Sequence, residues 1–339
     1  MTRNQKIAIG VGLLISAIFL FIAFNGLNPA LVLDSIRAAD GALLAFGAVW
    51  YFTAVAVISL RWGFLLRSTK AVPYRDLFRL VCIGYMGNNV YPFRTGELLR
   101  IFLLQRNNAV PMARATTVVI IERIFDGLVM LTFIVVALAF TNIASPQIET
   151  VINFAAPIFI AALAVFFLLA AKPTWMLRLL QLVARVLPGA VRDKVLALGG
   201  DVIDGLKAFR SPIDLCGAIL SSYASWMLEA SVYWIVATAF TLNIDYGTAL
   251  LVVGVVNLAG LIPASPGQFG VYEFFVRVVL VAALIPETIA TAYALTIHLV
   301  IWLPVTLLGF VFLIRQGIGG FGGALARARE VEQEAAVQG

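Results

Sequence analysis

"NNVYPFRTGELLR", residues 88–100, places two Asn, a Pro, a Gly, two Arg and a Glu between two strongly apolar stretches. So polar and helix-hostile a segment has to be reconciled with its surroundings. The chain is 62% hydrophobic and 12% charged, with a mean hydropathy of +0.98. A soluble domain carries about 25% charged residues. Apolar runs of roughly 20 residues, long enough to cross a bilayer as helices, recur along it. The composition fits an all-α polytopic membrane protein.

Charge distribution sets the expected orientation. Basic residues gather at 61–79, 94–114, 172–210 and after 315, whereas 25–41, 141–150 and 241–247 hold only Arg37. This is the positive-inside pattern: it argues for membrane orientation and calls for no nucleic acid. With the amino terminus inside, it predicts six full spans at about 7–24, 42–60, 116–140, 152–171, 213–240 and 290–314. Both termini are then cytoplasmic in a cell inner membrane. The first run follows Arg3 and Lys6 but lacks a small-residue cleavage site, so it reads as a permanent helix.

Two apolar stretches remain that the charge rule does not let cross, 77–104 and 248–285. Each is broken by Pro and Gly, in YPFRTGE and IPASPGQFGVYE. Non-helical backbone at membrane depth is tolerated where protein or a watery cavity surrounds it, so both read as re-entrant hairpins. Pro92 and Gly96 match Pro263 and Gly267 at an offset of 171 residues. The same offset carries 42–60 onto 213–231 and 116–140 onto 287–311, giving halves at about 42–140 and 213–314. Their predicted orientations are opposite, which describes an inverted repeat with a midplane binding site at its broken segments. Residues 174–211 read either as amphipathic helices on the cytoplasmic membrane surface or as an ordinary linker helix. Within an integral domain of 1–316, that linker joins the halves, and 317–339 reads as a flexible cytoplasmic tail.

Charges inside apolar segments invite explanation, because each costs about 2.5–3.5 kcal/mol on insertion scales. Asn89, Arg94, Gly96, Glu97 and Arg100 surround the first break, and Gly267, Gly270, Glu273 and Arg277 the second. A helix starting near Gly96 would present free N–H groups beside Arg94, a site for a phosphate, and put Glu97 and Arg100 on one face. Glu122, Arg123 and Asp126 share ERIFD, and Glu229 stands alone in SWMLEASVYW as the candidate proton carrier. Two readings stay open: the arginines hold an anionic lipid headgroup, or the charges pair with one another and fix packing. Cys82 and Cys216, isolated in apolar segments, read as buried thiols, and the lone His298 as a hydrogen-bonded core residue. No nucleophile–base set, metal cluster or phosphate loop is present, so neither enzyme chemistry nor a cofactor is expected.

YPFRTGELLR (91–100), ERIFDGL (122–128) and PASPGQFGVYE (263–273) together resemble the membrane region of lysylphosphatidylglycerol synthases, and of stand-alone membrane proteins sharing it. The resemblance covers about residues 5–315. It implies a flippase that moves lipid between leaflets, with Arg94, Gly96, Glu97, Arg100, Glu122, Arg123, Asp126, Gly267, Gly270 and Glu273 lining or supporting the path. It further implies that aminoacyl transfer belongs to a separate soluble domain, so no aminoacyltransferase activity is expected here. The expected partners are membrane lipids with anionic headgroups and a lipid-modifying enzyme. The rival readings are a non-transporting scaffold for a lipid- or glycan-modifying enzyme and a small-solute transporter.

Overall fold

The computed structural model describes residues 3–92, 95–141, 211–262 and 264–316, with isolated positions between 153 and 196. Arg94, Pro263, nearly all of the span expected at 152–171 and of the 174–211 linker, and the tail from 317 lie outside the described residues. Among the described residues, ten α-helices carry the fold: α1 (Arg3–Phe24), α2 (Pro29–Ala38), α3 (Gly41–Leu66), α4 (Tyr74–Val90), α5 (Gly96–Asn108), α6 (Met112–Phe140), α7 (Pro212–Ala239), α8 (Tyr246–Ala259), α9 (Val271–Ala282) and α10 (Glu287–Arg315).

Local signals fix several ends. Asn28 accepts from the Ala30 amide ahead of Pro29, and Asp40 accepts from the Ala42 and Leu43 amides. Asp245 does the same for Thr248 at the start of α8. Each satisfies donors that a helix start leaves unpaired. Helix α2 lies in the segment 25–41 between the first two expected spans: the Asn-Pro pair starts a helix there, bent by 82° from the helical segment Gly10–Phe24. Helices α3 and α10 are long and apolar enough to cross a membrane, with a third span if that bent pair counts as one. Large apolar side chains such as Phe21, Val49, Phe140, Leu220 and Leu307 face outward, as they would toward hydrocarbon.

The halves interlock through three antiparallel pairs. α3 lies on α7, with Trp50 Nε1 donating to Ser231 Oγ at 2.8 Å near one end and Arg67 reaching Asp214 at 3.2 Å near the other. α4 packs on α10 and α8 on α6, at contacts made close by Gly309 and Gly254. Shifted by 171 residues, α3, α4 and α6 fall within four residues of α7, α8 and α10 at their starts. The first broken stretch is a helical hairpin. A Cβ on Gly96 would collide with the Gly84 carbonyl, and one on Gly87 would come within 2.5 Å of Gly96 Cα. This glycine seam lets α5 fold back along α4 as far as Asn108, whose amide reaches Asp76 at 3.3 Å. The second broken stretch folds α9 against α8 through a 3-10 turn at Pro266–Gln268. Gly267 (φ 71°) and Gly270 (φ 91°) supply the left-handed backbone it needs. Helix α1 buttresses this turn, Ser16 Oγ accepting from the Ser265 amide at 2.9 Å.

Candidate functional site

The two breaks meet. A Cβ on Gly267 would lie 3.1 Å from the Asn89 carbonyl, and both breaks wall one cavity of about 470 Å³. That volume lies in the range of pockets for small molecules. Of the residues singled out from sequence, Asn89, Arg100, Arg123, Glu229 and Gly267 line it. Gly96, Glu97, Glu122, Asp126, Gly270, Glu273 and Arg277 do not, and Arg94 is outside the described residues.

Behind one wall stands a buried charge network. Arg61 gives one nitrogen to Asp126 Oδ1 at 2.6 Å and the other to Glu122 Oε1 at 2.5 Å. Glu122 Oε2 takes Arg100 at 3.1 Å and Arg123 at 3.3 Å, and Arg123 also meets Asp126 at 3.4 Å and Glu97 at 3.7 Å. Trp62 and Trp226 donate to Glu122 and Asp126 at 3.0 and 2.7 Å. Arg100 lies over the Trp62 ring at 4.8 Å and along Gly84, whose lack of a side chain makes room for it. Three guanidinia thus face three carboxylates. Arg61, paired from behind, leaves Arg100 and Arg123 at the cavity wall.

Arg61 corrects the sequence reading, which put it in a cytoplasmic loop. Helix α3 runs six residues past the expected span end, and Arg61 is 1% exposed inside it. Two signals were available: apolar residues continue to Leu66, and Trp62 adjoins the charge. Glu97 and Arg100 also part company, reaching Arg123 and Glu122 on α6 instead of each other. Glu122 and Asp126 do share a face, because both grip Arg61.

The rest of the lining differs. Glu229 is buried and lines the cavity, with no ion pair or hydrogen bond among the described residues. Glu273 does not reach Arg277: its Oε2 accepts from the Gly270 amide at 2.6 Å and its Oε1 meets His298 Nδ1 at 2.6 Å. Arg277 instead pairs with Glu287 at 2.6 Å and the Ile22 carbonyl at 3.1 Å, away from the cavity. His298 is hydrogen-bonded in the core, stacked on Tyr272 at 4.1 Å, and also lines the cavity. The sequence reading did not single out Asn257, Gln268, Tyr272 or Trp302, which line it too. Isolated polar residues in apolar segments were the only signal. Cys82 is a buried thiol as expected, whereas Cys216 is exposed on α7, and both are free.

The model of the family described as "Lysylphosphatidylglycerol synthase TM region" matches residues 9–309, which include both breaks and the whole charge network. The chain belongs to that family. Within it, the chain is 23% identical over 301 residues to a UPF0104 membrane protein of Methanothermobacter thermautotrophicus, covering 84% of this chain and 87% of that one. It is 21% identical over 322 residues to UPF0104 membrane protein MJ1595 of Methanocaldococcus jannaschii, covering 89% and 93%. A third relative is named glycosyltransferase AglD, of Haloferax volcanii: 26% identity over 327 residues spans 86% of this chain and 51% of that protein. Family membership and the outward apolar surface make this an integral membrane protein.

Proposed function

We propose that this family member is a lipid translocase, moving a lipid with an anionic headgroup between the leaflets of the inner membrane. The observation that carries the reading is the meeting of two helix breaks around one cavity whose wall bears Arg100 and Arg123. Guanidinia offer paired donors matched to phosphate oxygens. In this reading the halves are inverted repeats within about six full spans, the headgroup docks where the breaks meet, and the acyl tails stay in the bilayer. Rocking of one half on the other alternates access, as in other transporters built on broken helices. Glu229, unpaired in the same cavity, carries the coupling proton.

The test is flipping of acyl-labelled phosphatidylglycerol in vesicles, read by chemical quenching of the outer leaflet. Wild type is expected to flip it, and folded Arg123→Gln to do so about tenfold more slowly or worse, the scale of one lost charge-assisted contact. Wild-type rates in that variant would remove the headgroup assignment. No flipping by wild type would remove the translocase reading.

The half-length match to AglD supports a second reading, a membrane platform for a lipid- or glycan-modifying enzyme. It predicts that Arg123→Gln and Glu229→Gln leave function intact, while in-cell cross-linking captures an enzyme of that class.

A further inference from the structure

Four carboxamides line the cavity with Glu229: Asn88, Asn89, Asn257 and Gln268, and the orientation of the last three is settled by their partners. Asn257 Nδ2 donates to the Val253 carbonyl at 2.9 Å, and Gln268 Nε2 to the Gly260 carbonyl at 3.3 Å. Asn89 Nδ2 donates at 2.8 Å to Thr306 Oγ1, whose own proton goes to the Trp302 carbonyl. Carbonyls only accept, and the Thr306 proton is already committed, so each amide must present its nitrogen there. The oxygens are left over. Among the described residues, no donor reaches Asn89 Oδ1, Asn257 Oδ1, Gln268 Oε1 or the Glu229 carboxylate. None of them is among the fully occluded polar atoms either. The cavity therefore combines the guanidinium donors of Arg100 and Arg123 with four open acceptor groups, its acceptor row.

We propose that this row is the specificity half of the headgroup site: it selects a phosphate-bearing headgroup that carries hydrogen-bond donors, hydroxyl or ammonium, beyond the phosphate. The inference rests on the translocase reading and adds the ligand's chemistry. Phosphate oxygens are acceptors, so they suit Arg100 and Arg123 and are repelled by the acceptor row. Whatever displaces water from that row must donate, or the oxygens are left buried and unpaired, which costs more than a hydrogen bond gains. A site built to bond a ligand's hydroxyl or amine rejects the analogue lacking it far more strongly than a size mismatch would. Hydroxyl-rich and ammonium headgroups share this chemistry, and the experiment separates them.

The purified full chain in detergent is offered four lipids with identical acyl chains, and retention is read by native mass spectrometry. Phosphatidylglycerol and phosphatidylmethanol carry the same single negative charge, but only the first has hydroxyls. Phosphatidylethanolamine and phosphatidylcholine are both zwitterions, but only the first has N–H donors. At least one member of these pairs is expected to outbind its donor-free analogue by about tenfold, the effect of one to two hydrogen bonds. The pair that shows the preference names the donor. The double variant Asn257→Leu/Gln268→Leu should bring that ratio near one while phosphatidylmethanol retention stays unchanged.

Equal retention within both pairs, with Arg123→Gln still weakening the anionic lipids, would overturn the acceptor row and leave the anion site standing. An unchanged ratio in the double variant would overturn its assignment to these residues. Retention of no lipid would remove the inference together with the reading beneath it.

Discussion

The two broken hairpins solve one problem by different physics. The first closes on a glycine seam, Gly84, Gly87 and Gly96, and is tied to α6 by the pairs Arg100–Glu122 and Glu97–Arg123 and to α3 by Arg100 lying over the Trp62 ring. The second closes on two left-handed glycines and is tied by Glu273, which caps α9 through the Gly270 amide and holds His298 of α10. One break sits against charge, the other against a short hydrogen-bonded chain and the buttress of α1. The difference teaches that a shared break in two halves does not imply a shared site chemistry. Each wall of the cavity takes its character from what the neighbouring helices supply.

The sharpest way to break the first arrangement is to remove its hub. Arg61→Met leaves Glu122 and Asp126 buried with one fewer guanidinium, and breaking a buried pair costs about 3–5 kcal/mol. A large fall in thermal unfolding midpoint in detergent is expected, read by intrinsic Trp fluorescence. The double variant Arg61→Met/Asp126→Asn should recover part of it, because Glu122 keeps Arg100 and Arg123 and Glu97 keeps Arg123, so no carboxylate or guanidinium is left isolated. A stable Arg61→Met protein would show that Arg100 and Arg123 alone neutralise the carboxylates.

The second hairpin should break more gently. Glu273→Ala leaves the Gly270 amide and His298 Nδ1 without their partner, a cost of about 1–3 kcal/mol. Glu273→Gln keeps both contacts, as acceptor to the amide and donor to the ring, and is expected to lose less than Glu273→Ala. If the two variants unfold at the same temperature, the carboxylate charge and not the hydrogen bonds holds this end.

Much of this plan could be read from the chain, and the reasons for the rest are physical. Pro and Gly punctuate locally, so both breaks were visible, and a shift of 171 residues aligned helices α3, α4 and α6 with counterparts. Candidates at Arg100, Arg123 and Glu229 stood out because charge is costly among apolar neighbours. Pairing was not legible, because it depends on approach between helices distant in sequence. Arg61 meets carboxylates 61 and 65 positions away, and Glu273 finds His298 instead of the nearer Arg277. The acceptor row was invisible for a subtler reason. Asn and Gln carry both donor and acceptor, and only the fold decides which end is spent.

Arg277 offers the smallest effect and a control for the whole comparison. From sequence it was a site candidate, yet it pairs with Glu287, which is 55% exposed, at the corner between α9 and α10. Such solvent-screened pairs contribute about 0–1 kcal/mol. Arg277→Ala should therefore barely move the unfolding midpoint, and flipping by the reconstituted protein should match wild type. Its remaining bond, to the Ile22 carbonyl, ties α9 to the end of α1. A flipping defect without a stability defect would then place control of the second break in its contact with α1. That result would shift the search for moving parts from the charged wall to the buttressed one.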